Sequence, residues 1–167
     1  MAVLTSKHHD GFELWPSPNS FNWNSQALGP KQDLVGAFLN ATRAKGIKAG
    51  AIEHCTAFIS AVGNCCCEKW RRQLYTIITS LTAPCCAGLY HSIFEWFNPL
   101  YRGPNASQYV EEKLIPDLHA IVSKYEPAML LMDGEWEQTS DFWQTKPFLA
   151  WLFNESPIKD TVVVNDR

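Results

Sequence analysis

Short apolar runs and amphipathic stretches take turns along this chain. The runs Ala2-Val3-Leu4-Thr5, Leu89-Tyr90-His91-Ser92, Pro127-Ala128-Met129-Leu130-Leu131-Met132 and Thr161-Val162-Val163-Val164 are too short for helices and too continuous for surface strands, so they read as buried strands. Between them the spacing becomes helical. Asp33 to Lys45 places Leu34, Val35, Phe38, Leu39 and Ala41 on one side, with Gly29-Pro30 before it and Gly46 closing it. A second helix is predicted from about Ser107 to Tyr125, with Val110, Leu114, Leu118, Ile121 and Val122 as its buried face and a kink at Pro116. A third covers about Pro147 to Asn154 through Phe148, Leu149, Trp151 and Leu152. Strands alternating with helices predict an α/β fold with a parallel sheet and right-handed crossovers.

Polar chemistry collects where each strand stops. Lys7-His8-His9-Asp10-Gly11-Phe12 follows the first run, Ile93-Phe94-Glu95-Trp96 the second, Asp133-Gly134-Glu135-Trp136 the third and Asn165-Asp166-Arg167 the fourth. In parallel α/β proteins, ligands and catalytic groups gather at the carboxyl ends of strands, so these four ends suggest one rim of a barrel. Adjacent residues on a regular strand point to opposite faces, so His8 and His9 cannot chelate one metal there. A turn at Gly11 would let both imidazoles meet a polyhydroxylated ligand; the other reading leaves one in the core and one on the surface. Asp133 is the candidate nucleophile or base, Glu135 sharing its side if the chain stays extended. Against this, Asp-Gly is a common turn dipeptide. Arg167 could hold a carboxylate or sugar hydroxyls, or close a salt bridge at the rim. Tyr90 and Trp96 could offer a phenol and a stacking face, or simply pack.

Composition narrows the function classes. The 167 residues are 46% hydrophobic and 13% aromatic, which excludes a disordered chain. A net charge of −3 without a basic run argues against a nucleic-acid partner, and no run is long enough to span a membrane. No secretory signal precedes the first strand, and both ends read as cut through a fold rather than placed at its edge. All six cysteines lie within residues 51–88, without the C-x-x-C spacing of a metal site. Ala-Gly stands at both edges of that segment, as Ala49-Gly50 and Ala87-Gly88. Removing 51–88 joins Gly46-Ile47-Lys48-Ala49-Gly50 to Leu89-Tyr90-His91-Ser92 as one strand. The segment is therefore expected to be an insertion: an ordinary one with buried thiols, or, on the sharper reading, an in-frame retained intron or a gene-model error.

The longer motifs carry a resemblance. Lys7-His8-His9-Asp10-Gly11-Phe12, Leu14-Trp15-Pro16-Ser17, Phe21-Asn22-Trp23-Asn24-Ser25, Gly29-Pro30-Lys31 and Asp33-Leu34-Val35-Gly36 resemble α-L-fucosidases of the retaining glycoside-hydrolase family 29 type. So do Leu89-Tyr90-His91-Ser92, Phe94-Glu95-Trp96-Phe97, Asp133-Gly134-Glu135-Trp136 and Val162-Val163-Val164-Asn165-Asp166-Arg167. The resemblance covers about 1–50 and 89–167, not 51–88. It implies an incomplete (β/α)8 TIM-like barrel, about half of the ~250 residues of a whole one. It implies hydrolysis of α-L-fucosides of glycoproteins or glycolipids with retention, through a covalent fucosyl-aspartate. By position Asp133 matches the nucleophile, and His8, His9, Tyr90 and Arg167 match residues that hold fucose. The partners implied are fucosylated glycans; no metal, cofactor, nucleic acid or membrane is implied. The usual setting is lysosomal or secreted. Leu131 stands where the family often has an aromatic residue. The acid/base carboxylate lies beyond the Asn165-Asp166-Arg167 motif, so these residues alone are expected to be inactive; the alternative is a non-catalytic remnant or a weak sugar-binding pseudo-enzyme.

Overall fold

Four parallel strands lie side by side in chain order in the computed structural model, which describes residues 2–46, 87–103 and 106–165. They are β1 (Ala2–Lys7), β2 (Ala87–Ser92), β3 (Met129–Asp133) and β4 (Val163–Val164). Parallel neighbours need a crossover, and helices supply it. α1 (Leu34–Ala44) follows β1. Two short helices, α2 (Pro99–Arg102) and α3 (Ala106–Tyr109), lead through a π-helical turn (Val110–Leu114) into α4 (Ile115–Tyr125) before β3. α5 (Thr145–Asn154) separates β3 from β4. This is an α/β layout with sequence-adjacent parallel strands paired throughout, consistent with part of a barrel.

The strands fall where the apolar runs predict them, with shifted ends. β1 continues through Ser6 and Lys7, both fully buried, and its register against β2 slips between Thr5 and Lys7. Such a slip bends the strand and re-aims the residues beyond it, here His8 and His9. β2 opens on Ala87-Gly88, and a Cβ at Gly88 would come within 2.9 Å of Met129 Cβ on β3, so only glycine lets these strands approach. Residues 51–86, with all six cysteines and most of the expected insertion, lie outside the described residues.

α1 matches its predicted bounds because Asp33 caps it, accepting from the Gly36 N–H at 2.9 Å. The same carboxylate accepts from the Tyr125 hydroxyl at 2.6 Å and Lys124 Nζ at 3.1 Å, tying α1 to α4. Burial alone would raise the Asp33 pKa, but these bonds hold it below its ordinary value. The second helix differs from expectation. Pro116 sits in the first turn of α4, directly after a π turn that breaks the regular helical period. Leu89, Leu118, Ile121, Leu130, Trp15, Trp143 and Phe148 make up much of the core between sheet and helices.

Candidate active site

Beyond β1 the chain turns at once. The His8 carbonyl accepts from Gly11 N at 3.0 Å, and Gly11 takes φ 75, a backbone region glycine enters without strain. This turn reconciles the paired histidines: neither lies on the regular strand. His8 is exposed, His9 is buried, and their ring centroids lie 4.2 Å apart. The turn is pinned from outside, with Trp23 Nε1 donating to the Asp10 carbonyl at 3.2 Å and Trp96 N to the His9 carbonyl at 2.9 Å.

Alternation along β2 puts Tyr90 and Ser92 on one face. Tyr90 stacks on His8 with centroids 5.6 Å apart, and its hydroxyl donates to Asp133 Oδ2 at 2.6 Å. Ser92 Oγ lies 2.7 Å from His9 Nδ1. Asp133, half-buried, ends β3 opposite Ser92 in the register. Around His9 stand Phe94 at 4.4 Å, Trp96 at 5.1 Å and the edge of Trp136 at 5.9 Å between centroids. Burial, and then the neighbouring His8, lower the His9 pKa, so its ring is neutral near neutral pH. The group therefore brings together one carboxylate, two imidazoles, a phenol and aromatic faces, polar groups beside apolar ones as in sites for small molecules.

Glu135 does not share the face of Asp133. Gly134 turns the chain at φ 102, and Glu135 opens a short 3-10 turn. That glycine is required twice over, since a Cβ would also lie 2.1 Å from Phe94 Cδ1. Of the predicted site residues, His8, His9, Tyr90 and Asp133 come together; Arg167 lies outside the described residues. Trp96 leaves the core for the rim. The sequence reading missed Ser92, which the period of β2 places beside Tyr90.

It also missed a buried ion cluster adjoining the rim. Lys7 Nζ reaches Glu95 Oε1 at 2.9 Å. Lys113, from the π turn, reaches Glu95 Oε1 at 3.1 Å and Asp117 Oδ2 at 3.2 Å, and also pairs with Glu13. Ser17 donates to Asp117 at 2.6 Å and Asn98 to Glu95 at 2.8 Å. Burial pushes Glu13 up to about 7, with Asp117 adding to the rise and Lys113 and Lys7 opposing it. Burial would also raise Glu95, but Lys7 and Lys113 keep it below the usual carboxylate range. Burial, then the two ammonium groups, push His91 well below the ordinary imidazole value.

The family model described as Alpha-L-fucosidase matches residues 1–167. The chain belongs to the α-L-fucosidase family. It is 40% identical over 170 residues to the tissue alpha-L-fucosidase of Rattus norvegicus and 39% identical to that of Homo sapiens, in each case covering 99% of this chain. It spans 29% and 28% of the length of those relatives. Among solved structures, a fucosyltransferase mutant of the alpha-L-fucosidase AlfC superposes with a TM-score of 0.64 at 18% identity, covering 99% of this chain and 45% of that one. At that identity the likeness speaks for the fold. No helix among the described residues is long and apolar enough to cross a membrane.

Proposed function

We propose that this chain is part of the catalytic (β/α)8 barrel of a retaining α-L-fucosidase acting on fucosylated glycans. One observation carries the reading: Tyr90, which touches His8, also hydrogen-bonds Asp133 at the end of the neighbouring strand. Asp133 acts as the nucleophile. Its carboxylate forms a bond to the anomeric carbon as the bond to the leaving oxygen breaks, giving a fucosyl-aspartate. His8 and His9 hold ring hydroxyls, and Arg167 joins them. Such bonds speed the reaction where they strengthen in the transition state. A second carboxyl, about 5–5.5 Å away in retaining enzymes, protonates the leaving oxygen and later activates water. The family resemblance puts that group beyond Arg167, so these 167 residues by themselves turn over little substrate.

Fluoride leaves without a proton, which separates the two halves of the mechanism. A 2-deoxy-2-fluoro fucosyl fluoride of the α-L series, incubated with the chain, is expected to leave one fluorodeoxyhexosyl group on Asp133. Peptide mass spectrometry reads the site, and Asp133→Asn abolishes the adduct. Fucose binding without any adduct favours the rival reading, a sugar-binding remnant. An adduct elsewhere removes Asp133 from the role.

Relatives named tissue and plasma alpha-L-fucosidase support a lysosomal or secreted setting. Residues 51–88 are read as an insertion into the barrel. Cysteine confined to that segment and the repeated Ala-Gly support this, because Ala49-Gly50 supplies the glycine that β2 requires at Gly88. Deleting 51–88 then leaves the fold and the adduct test unchanged. An unfolded deletion variant rejects the insertion.

A further inference from the structure

Ser92 is fully buried and makes three contacts through one oxygen. Its Oγ lies 2.7 Å from His9 Nδ1, 2.8 Å from the Phe94 carbonyl oxygen and 3.3 Å from the Phe94 N–H. A hydroxyl has one proton to give and two lone pairs to offer. The Phe94 N–H takes one lone pair. The Phe94 carbonyl accepts no other hydrogen bond among the described residues, and Phe94 is fully buried, so withholding the Ser92 proton would strand a buried acceptor. The proton therefore goes to Phe94, and the second lone pair faces Nδ1. Only an Nδ1 that carries hydrogen can complete that contact.

We propose that Ser92 is a positioning residue that fixes His9 as its Nδ1–H tautomer, so that Nε2 meets a sugar hydroxyl as a hydrogen-bond acceptor. Nε2 makes no hydrogen bond among the described residues and is not sealed from solvent, so it is open to a ligand. The rest of the ring is already fixed. Phe94 stacks on it and Trp96 holds its backbone, which leaves the proton's place as the remaining freedom. The hydroxyl at Nε2 must be a donor, and this deepens the fucosidase reading on which the sugar part rests. A fucose analogue with fluorine at that one position keeps its size and polarity but has no proton to give.

The ring nitrogens report the tautomer directly. In the ¹⁵N-labelled chain, long-range proton–nitrogen correlation at neutral pH is expected to show a protonated Nδ1 and a bare Nε2 for His9. Ser92→Ala releases that preference and Ser92→Thr, which keeps the hydroxyl, restores it. L-fucose affinity falls about tenfold in Ser92→Ala, and one monofluorinated fucose shows the same loss against the wild-type protein. A wild-type His9 protonated on Nε2 overturns the assignment, and that measurement needs no variant to fold. A folded Ser92→Ala protein with an unchanged tautomer overturns it as well. Fucose that does not bind the wild type, with the tautomer pattern intact, counts against the fucosidase reading and leaves the Ser92–His9 pairing standing.

Discussion

The rim and the ion cluster adjoin one another and use the same kinds of side chain in opposite ways. At the rim, His8, Tyr90 and Asp133 are half-buried or exposed. In the cluster, Lys7, Glu13, Glu95, Lys113 and Asp117 are at most 3% exposed and spend their charges on one another. Two cations face three carboxylates there. A dry site cannot leave a charge unmatched, so the surplus appears as a carboxyl that keeps its proton to about 7, that of Glu13. Burial turns ionisable groups into scaffold, while partial burial leaves them able to act. Both regions hang on the same short segments: Lys7 precedes His8, and Glu95 precedes Trp96.

The comparison breaks most visibly at Lys113. Lys113→Met removes the cation that pairs with Glu13, Glu95 and Asp117, and it should cost about 3–5 kcal/mol in urea unfolding, the usual price of orphaning buried charge. A loss below about 1 kcal/mol would mean that water reaches the cluster and that the contrast with the rim is false.

Protonation gives a smaller effect with a definite sign. Glu13 is raised from 4.5 to about 7, chiefly by burial. Between those values the folded protein keeps a proton that the unfolded chain releases, so the Glu13 contribution to stability falls as pH rises through that window, by roughly 3 kcal/mol. Glu95 runs the other way: its pKa is depressed, so its contribution is present above the ordinary carboxylate pKa and is lost as pH falls through its folded value. His9, His91 and His119, whose pKa values are lowered, add the opposite slope in the same window, so the Glu13 contribution is read as a difference: the stability of the wild type minus that of Glu13→Gln should fall as pH rises. A difference that stays constant with pH would show that Glu13 is ionised throughout.

Period and strand ends made the rim legible in the sequence. His8, His9, Tyr90 and Asp133 each sit at or beside the end of an apolar run, and such ends converge in any parallel sheet. The cluster was not legible, because its members come from β1, the loop beyond it, the loop after β2 and the π turn with α4. Charged residues taken singly read as surface. The π turn hid Lys113 further: it shifts the phase of the helix, so a regular 3.6-residue period does not describe where that side chain points. Ser92 lay between these cases. Its face was readable from Tyr90, but its role depends on the His9 turn, which no local pattern in β2 announces.

The smallest change in stability should accompany a loss confined to the chemistry. Tyr90→Phe keeps the ring that stacks on His8 and deletes the bond to Asp133 Oδ2. One half-exposed hydrogen bond is worth about 1 kcal/mol or less, so the unfolding midpoint should barely move. Asp133, however, loses the donor at Oδ2, and a proposed nucleophile held less firmly spends less time aligned with the anomeric carbon. Adduct formation from the fucosyl fluoride should slow by about tenfold, close to 1.4 kcal/mol of barrel-mouth geometry expressed as barrier. Lys113→Met and Tyr90→Phe thus move opposite observables, one stability and the other rate. If Tyr90→Phe instead lowered stability as much as Lys113→Met does, the phenol would belong to the scaffold, and the boundary between the two regions would have to be drawn above Tyr90.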